Sequence, residues 1–232
     1  MHRSRDAPLT PSAARATPLR SAGVVRWIGS ADAARAPRPT GPGGYACDMT
    51  VDCPAPDGSS EKKQRFAEAP PMCIDASKRY TVKIVTSKGT MTAALDPLSA
   101  PRTVNNFVVL ARYHYFDDTF FHRVIPGFVL QGGDPEGTGM GGPGYRFPDE
   151  LPPPGRYELG SLAMANAGPD TNGSQFFVIS GPDGMRLPPS YSLFGKVVAG
   201  LDVVAAVDAV GTSSGKPKEK VVIESVVVSE AD

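Results

Sequence analysis

Phe121–Asp134 reads FHRVIPGFVLQGGD, and the fold turns on how it is read. Thr119–Val124 and Gly127–Gln131 have the pattern of two short strands. They break at Pro126-Gly127, where a fixed proline φ meets an unrestricted glycine. Side chains alternate across a strand, so Arg123 should face away from His122. Phe128 and Gln131 follow the break, and simple alternation does not set their facing. A lone arginine on a strand usually forms a solvent-exposed ion pair. Here aromatic and aliphatic neighbours weigh against that, while His122 reads as a structural histidine.

Working outward, Thr81–Leu95 alternates apolar and polar residues around Lys88-Gly89, the mark of a tight β-hairpin. Ser99–Tyr113 changes period. Ser99 can cap, Pro101 suits a first helical turn, and Val104, Phe107, Val108, Leu110 and Ala111 share one face of a helix. Gly132–Gly144 reads as a flexible glycine-rich loop. Ser161–Ala165, Gln175–Ser180 and Ser192–Val198 read as further strands, Gly200–Val210 as a second amphipathic helix and Val221–Val228 as a last strand. Roughly eight strands and two helices, with abundant turns, point to a mainly β fold, a closed barrel or a sandwich.

Composition agrees. The 232 residues are 41% hydrophobic and 21% charged, with 25 Gly and 24 Pro, a globular balance rich in turns. Net charge is zero but uneven. Residues 1–48 hold seven Arg against three Asp, about +4, which leaves about −4 for the rest. Residues 1–49 are rich in Pro, Ala and Arg without periodicity and are expected to be a disordered tail, with Met49 a plausible alternative start. Residues 50–79 are expected to be an extended segment ahead of a domain at 80–230. Trp27 falls in the tail and is not expected to serve the core. No basic stripe with interleaved aromatics argues for a nucleic-acid partner, and no apolar run argues for a membrane span or a signal segment. A cytoplasmic monomer is the expectation. Cys53 and Cys73 fit equally a disulfide across a short loop and free thiols in a reducing compartment. With Cys47 they form no zinc-site spacing.

Three motifs carry little. Gly137–Gly142 matches GxGxxG, but Pro143-Gly144 follows where a nucleotide site needs a helix. Gly211–Gly215 matches GxSxG, but Lys216-Pro217 follows and no histidine lies beyond His122, so a nucleophile elbow does not fit. Asn172-Gly173-Ser174 fits a glycosylation sequon and reads more simply as a turn.

Chemistry concentrates in Phe121–Asp134 and in SLAMANAGPDTNGSQFFVIS (Ser161–Ser180). Together with SYSLFGKV (Ser190–Val197), these segments resemble the signature blocks of the cyclophilin family, in the family's order, within a likeness spanning about Tyr80–Ser229. The resemblance implies a closed eight-stranded antiparallel β-barrel capped by two α-helices. It also implies catalysis of Xaa-Pro bond rotation in peptides and in unfolded or folding proteins, without a metal or other cofactor. By this likeness Arg123 is the catalytic arginine. Phe128, Val129 and Phe177 floor the proline pocket, with Leu187 at its wall. Gln131 orients substrate, Ala165 and Asn166 present backbone to it, and Thr171 and Gln175 line the adjoining groove. Three positions depart from the best-known members. Val129 stands for methionine, Tyr191 for histidine, and Arg186 for a tryptophan that contacts cyclosporin. The departures imply weakened cyclosporin binding with proline turnover retained.

The residue types suit such a reaction. Amide resonance sets a rotation barrier of about 18–20 kcal/mol. A catalyst needs only to bind the twisted imide better than either planar form. An arginine is always charged and always able to donate. Two other readings remain open: a module that holds proline segments without turnover, and a scaffold acting through residues 1–79.

Overall fold

The hairpin forms as its alternation requires. Arg79–Thr86 (β1) and Gly89–Leu95 (β2) pair antiparallel, with Thr86 opposite Gly89 across a two-residue turn. Gly89 has a φ of +123°, which glycine adopts without strain. The computed structural model describes residues 52–232; the expected tail, with Trp27, Cys47 and Met49, lies outside them.

Helix α1 (Pro101–Arg112) carries Pro101 in its first turn, and all five expected face residues are buried. Its cap differs from expectation. The N-terminal residue is Ala100 without a side-chain cap, and the Ser99 N–H donates to Asp96 instead. The exposed helix amides are taken from a distance: the Glu150 carboxylate accepts from the N–H of Arg102 (3.1 Å) and of Thr103 (2.8 Å). A carboxylate there satisfies orphan donors and complements the helix dipole.

The remaining elements are β3 (Thr119–Phe120), β4 (Arg123–Ile125), β5 (Val129–Gly132), β6 (Ser161–Met164), β7 (Phe176–Ile179), β8 (Leu193–Ala199), α2 (Leu201–Asp208) and β9 (Val222–Ala231). All strands join one curled antiparallel sheet in the order β3-β9-β1-β2-β8-β6-β7-β5-β4. This corrects the expected closed eight-stranded barrel. The strand expected at Thr119–Val124 is two, split at Phe121-His122: β3 pairs with β9, and β4 pairs with β5. These two are the ends of the ladder and do not pair with each other. The seam is covered by the loop after α2 instead. Val124 N–H donates to Gly215 O (2.8 Å), Thr212 N–H to Val124 O (3.2 Å) and Phe121 N–H to Val221 O (3.1 Å). Edge groups are thereby satisfied without a closing ladder.

The main core lies on one face of the sheet under α1. Phe107 meets the rings of Phe116, Phe176 and Phe194 at centroid distances of 5.0–5.4 Å. Residues 52–78 hold no helix or strand but pack on this body. Phe66 and Ile74 join the core, Phe66 N–H donates to Pro143 O, and the Asn105 side chain bridges Cys73 N–H and Pro71 O. Cys53 and Cys73 form a disulfide, with Cα atoms 5.4 Å apart. Among the described residues no helix is long and apolar enough to cross a membrane.

Twenty residues separate the two cysteines. Breaking the bridge by Cys53→Ser should therefore cost about 2–4 kcal/mol, the loop-closure range. Denaturant midpoints of wild type and variant, each with and without reductant, measure this. An unchanged midpoint would show that the bridge contributes nothing to stability.

Candidate functional site

Strands β5, β7 and β6 are buried on both faces, so alternate residues serve two different clusters. Leu130, Phe176, Val178, Leu162 and Met164 enter the main core. Their neighbours Val129, Phe177, Ile179 and Ala163 point the other way and form a second apolar cluster with Tyr157. Phe128, Ala165, Leu187, Tyr191 and Leu193 pack against it, only partly buried. Val129 (2% exposed) and Phe177 (4%) make a floor, and Phe128, Leu187 and Tyr191 make an open rim.

Register carries the site across the sheet. Arg123 lies opposite Gln131, Gln131 opposite Phe177, Phe177 opposite Ala163, and Ala163 opposite Leu193. Phe128, whose facing the sequence left open, exits the turn at Gly127 (φ +71°) toward this row. The turn is pinned by Gly127 N–H on the Asp208 carboxylate (2.9 Å) and Ser180 N–H on Phe128 O (3.1 Å). Gly184 packs directly on the Phe128 carbonyl, where any Cβ would collide. The Arg123 guanidinium then sits 5.8 Å above the Phe128 ring, within cation–π range.

Arg123 is held by a chain of amides rather than by a carboxylate. Its Nη1 donates to Gln131 Oε1 (3.2 Å), Gln131 Nε2 to Gln175 Oε1 (3.0 Å), and Gln175 Nε2 to the carbonyls of Gly139 (3.0 Å) and Gly141 (2.9 Å). Those carbonyls belong to the glycine-rich loop, which is organised rather than loose. Its centre is Asp134, fully buried, whose carboxylate accepts from the N–H groups of Glu136 (2.8 Å), Gly139 (2.6 Å) and Gly141 (3.2 Å). Gly141 must be glycine, because a Cβ would strike that carboxylate. Burial alone would raise the Asp134 pKa, but the backbone N–H groups of Glu136, Gly141 and Gly139 outweigh it and hold the group below its ordinary value.

Gln131, Gln175, Ala165, Asn166 and Thr171 line a groove of about 720 Å³ beside the apolar cluster. The Thr171 hydroxyl shapes its wall, accepting from Ala167 N–H (2.8 Å) and donating to Gly168 O (2.7 Å). The Asn166 side chain donates to Ser190 O (2.9 Å). Among the described residues, neither the N–H nor the C=O of Asn166 has a protein hydrogen-bond partner.

Two contributors went unnoticed in the sequence, Asp134 and Tyr157. The Tyr157 hydroxyl donates to Tyr191 O (2.7 Å) and accepts from Tyr191 N–H (3.1 Å), which sets the Tyr191 ring edge-on to Phe177 at 5.3 Å. Burial pushes its pKa up to about 12, so it remains a donor at any working pH. Nothing local marks Tyr157, since its partner lies 34 residues away. The facing of His122 also changes. Residues 121–122 lie between strands, alternation lapses, and His122 lines the same groove as Arg123. The sequon asparagine Asn172 is fully buried and donates to Asp149 Oδ1 (2.7 Å). No helix follows either glycine motif. Among the described residues no cluster of three or more His, Cys, Asp or Glu side chains is placed to hold a metal ion.

Fold and site together define a curled antiparallel β-sheet protein with a partly open apolar cluster and the Arg123 guanidinium at its edge. The family model of the cyclophilin type peptidyl-prolyl cis-trans isomerases matches residues 81–228. Peptidyl-prolyl cis-trans isomerase-like 1 of Gibberella zeae is 42% identical over 157 residues, covering 65% of this chain and 96% of its own. Peptidyl-prolyl cis-trans isomerase B of Streptomyces anulatus is 47% identical over 167 residues, covering 62% and 93%. A Cryptosporidium parvum cyclophilin type peptidyl-prolyl cis-trans isomerase, solved by crystallography, superposes with a TM-score of 0.61 at 33% identity, over 66% of this chain and 99% of that one. The same protein in the presence of the dipeptide Ala-Pro gives 0.60 at 35% identity, over 64% and 98%. The chain belongs to the cyclophilin-type peptidyl-prolyl cis-trans isomerases.

Asp134→Ala should release the loop at its centre. Stability should fall by about 1–3 kcal/mol, the cost of unmaking buried hydrogen bonds, and Gly139 and Gly141 amides should exchange faster. Because the folded pKa of Asp134 is depressed, its contribution is complete above the ordinary aspartate range and is lost as pH falls through the depressed value. Hydrogen exchange followed down an acid series reads both effects, and unchanged glycine exchange in the variant would refute them.

Proposed function

We propose that the apolar slot takes the proline ring of an Xaa-Pro segment and that Arg123 stabilises the imide as it twists. The position of the Arg123 guanidinium supports this. It lies at the lip of the slot, over the Phe128 ring, and is held through one amide contact instead of a carboxylate. Its remaining donors are thus left for substrate, since among the described residues it makes no other hydrogen bond.

Rotation removes amide resonance and leaves a pyramidal proline nitrogen with a lone pair that can accept a hydrogen bond. Arg123 donates to that nitrogen or to the prolyl carbonyl, and does so more strongly in the twisted geometry than in either planar one. Val129 and Phe177 exclude water beneath the ring, and low dielectric strengthens the charged hydrogen bond above it. The flanking chain is held at Asn166, whose backbone groups are open toward the groove, so rotation is confined to one bond. Gln131 keeps Arg123 from swinging away. The Cryptosporidium parvum structure in the presence of the dipeptide Ala-Pro is consistent with proline-containing peptides as ligands here. No nucleophile, metal or cofactor takes part in these steps.

Cyclosporin should bind weakly. Arg186 stands where a flat indole would lie, on the 3-10 turn Gly184–Arg186, and its guanidinium is drawn to Asp183 (2.9 Å). As to compartment, the Cys53–Cys73 bridge favours oxidising surroundings over the cytoplasm expected from sequence.

Arg123→Ala should cut kcat/KM on a prolyl tetrapeptide by about 100-fold or more, the scale of one preorganised donor, with its melting curve unchanged. Wild-type turnover by a folded variant would end the mechanism. Phe128→Ala should raise KM more than it lowers kcat, with a melting curve to separate binding from any loss of packing. Cyclosporin titrated into the same assay should fail to inhibit in the submicromolar range.

A further inference from the structure

A further groove of about 830 Å³ is lined by His122, Arg123, Lys216, Lys218, Glu219 and Lys220. One wall is the turn at Gly137–Gly139, and the other is the loop that covers the sheet seam. That loop is fixed relative to Arg123. Gly215, at φ +86°, packs under the arginine stem, where any Cβ would press on its Cγ. The same residue accepts the Val124 N–H.

Three lysines at alternate positions of Lys216–Lys220 therefore border one cleft beside the arginine. Their charge is not compensated locally. Among the described residues none of Lys216, Lys218, Lys220 or Arg123 pairs with a carboxylate. The one acid in the run, Glu219, is drawn to Lys88 of the hairpin turn. Asp134 lies behind His122, but backbone N–H groups already occupy its carboxylate. Lys220 is kept in place, with its ammonium 4.5 Å above the Phe120 ring. Both ring nitrogens of His122 are buried without a partner, and burial pushes its pKa down, so the positive charge of the groove is that of the lysines and Arg123. Three ammonium groups and a guanidinium against the one carboxylate of Glu219, itself paired with Lys88, leave the cleft net positive, and such a cleft focuses its potential and selects oppositely charged groups.

We propose that this groove receives an anionic side chain flanking the substrate proline, a carboxylate or a phosphorylated hydroxyl, so that the enzyme prefers acidic prolyl segments. The inference rests on the isomerase reading of the adjoining slot and adds a substrate class to it. The lysines are solvent-exposed, so the preference should be modest and should weaken with salt.

Matched prolyl peptides carrying Gln, Glu, phosphoserine or Lys at a flanking position test it, with kcat/KM measured by NMR exchange at low and high salt. Wild type should favour the Glu and phosphoserine peptides over the Lys peptide by about three- to tenfold at low salt, the scale of a few exposed charge pairs, and lose the preference at high salt. The triple variant Lys216→Glu, Lys218→Glu, Lys220→Glu should invert the order and leave the Gln peptide unchanged. Lys218→Gln, a gentler change, should shrink the preference and serves if the triple variant folds poorly. A larger gain for phosphoserine than for Glu identifies phosphate as the better ligand, and an equal gain identifies the charge alone. Equal rates for Glu and Lys peptides, with the Gln peptide turned over normally, overturn this inference only. No turnover of any peptide by wild type overturns the isomerase reading with it.

Discussion

Strands β5, β7 and β6 must bury apolar side chains on both faces, and the site exists because only one face is fully covered. Inward, Leu130, Phe176 and Val178 meet the helix and the aromatic core. Outward, Val129, Phe177 and Ile179 meet a thinner layer made by Tyr157, Leu187 and Tyr191. Two-sided apolar strands are ordinarily sandwiched between helices. Here the second cover is left incomplete, and the gap is the slot. A register slip of one residue would exchange the two sets and destroy core and slot together. The proposed slot and the stability of the fold are thus written on alternate residues of the same strands.

Charge is handled as carefully as apolar surface. The arginine at the slot is tied to a buried aspartate only through neutral groups, two glutamines in series and then the backbone of Gly139 and Gly141 side by side. A direct ion pair would hold the guanidinium more tightly and would also consume its donors. The amide chain orients it and leaves donors open. Asp134 meanwhile converts a run of glycines, each without side-chain constraints, into a shaped wall, because three backbone N–H groups converge on one carboxylate. The same residue therefore defines the loop that Gln175 leans on and the rear of the basic groove.

Much of this was legible in the chain, and the exceptions share a cause. The hairpin, both helices and the positions of β5 to β9 follow from local period and turn chemistry. What failed were readings that needed a distant partner. Ser99 has the right chemistry for a cap, yet Glu150, some fifty residues on, supplies it. The segment Thr119–Val124 holds no glycine or proline to mark a break, yet its halves belong to opposite ends of the sheet because β9 and β5 claim them separately. Alternation would turn His122 away from Arg123, but β3 ends at Phe120 and β4 begins only at Arg123, so alternation does not govern it. The glycine-rich loop looked structureless because its organiser acts through backbone groups, which leave no pattern in side-chain type.

By itself the sequence determined that this is a mainly β chain with two amphipathic helices. Through its three motif blocks, it also picked out the family and the set of residues worth watching. Period and turn chemistry are local, and motif identity needs no coordinates. Only the tertiary structure decided that the sheet stays open between β3 and β4, that Phe128 turns toward Arg123, that Cys53 meets Cys73, and that three lysines far along the chain line one groove with the arginine. Each of those is a contact between segments remote in sequence, set by packing and strand pairing, and no local rule encodes which remote partner a side chain will find.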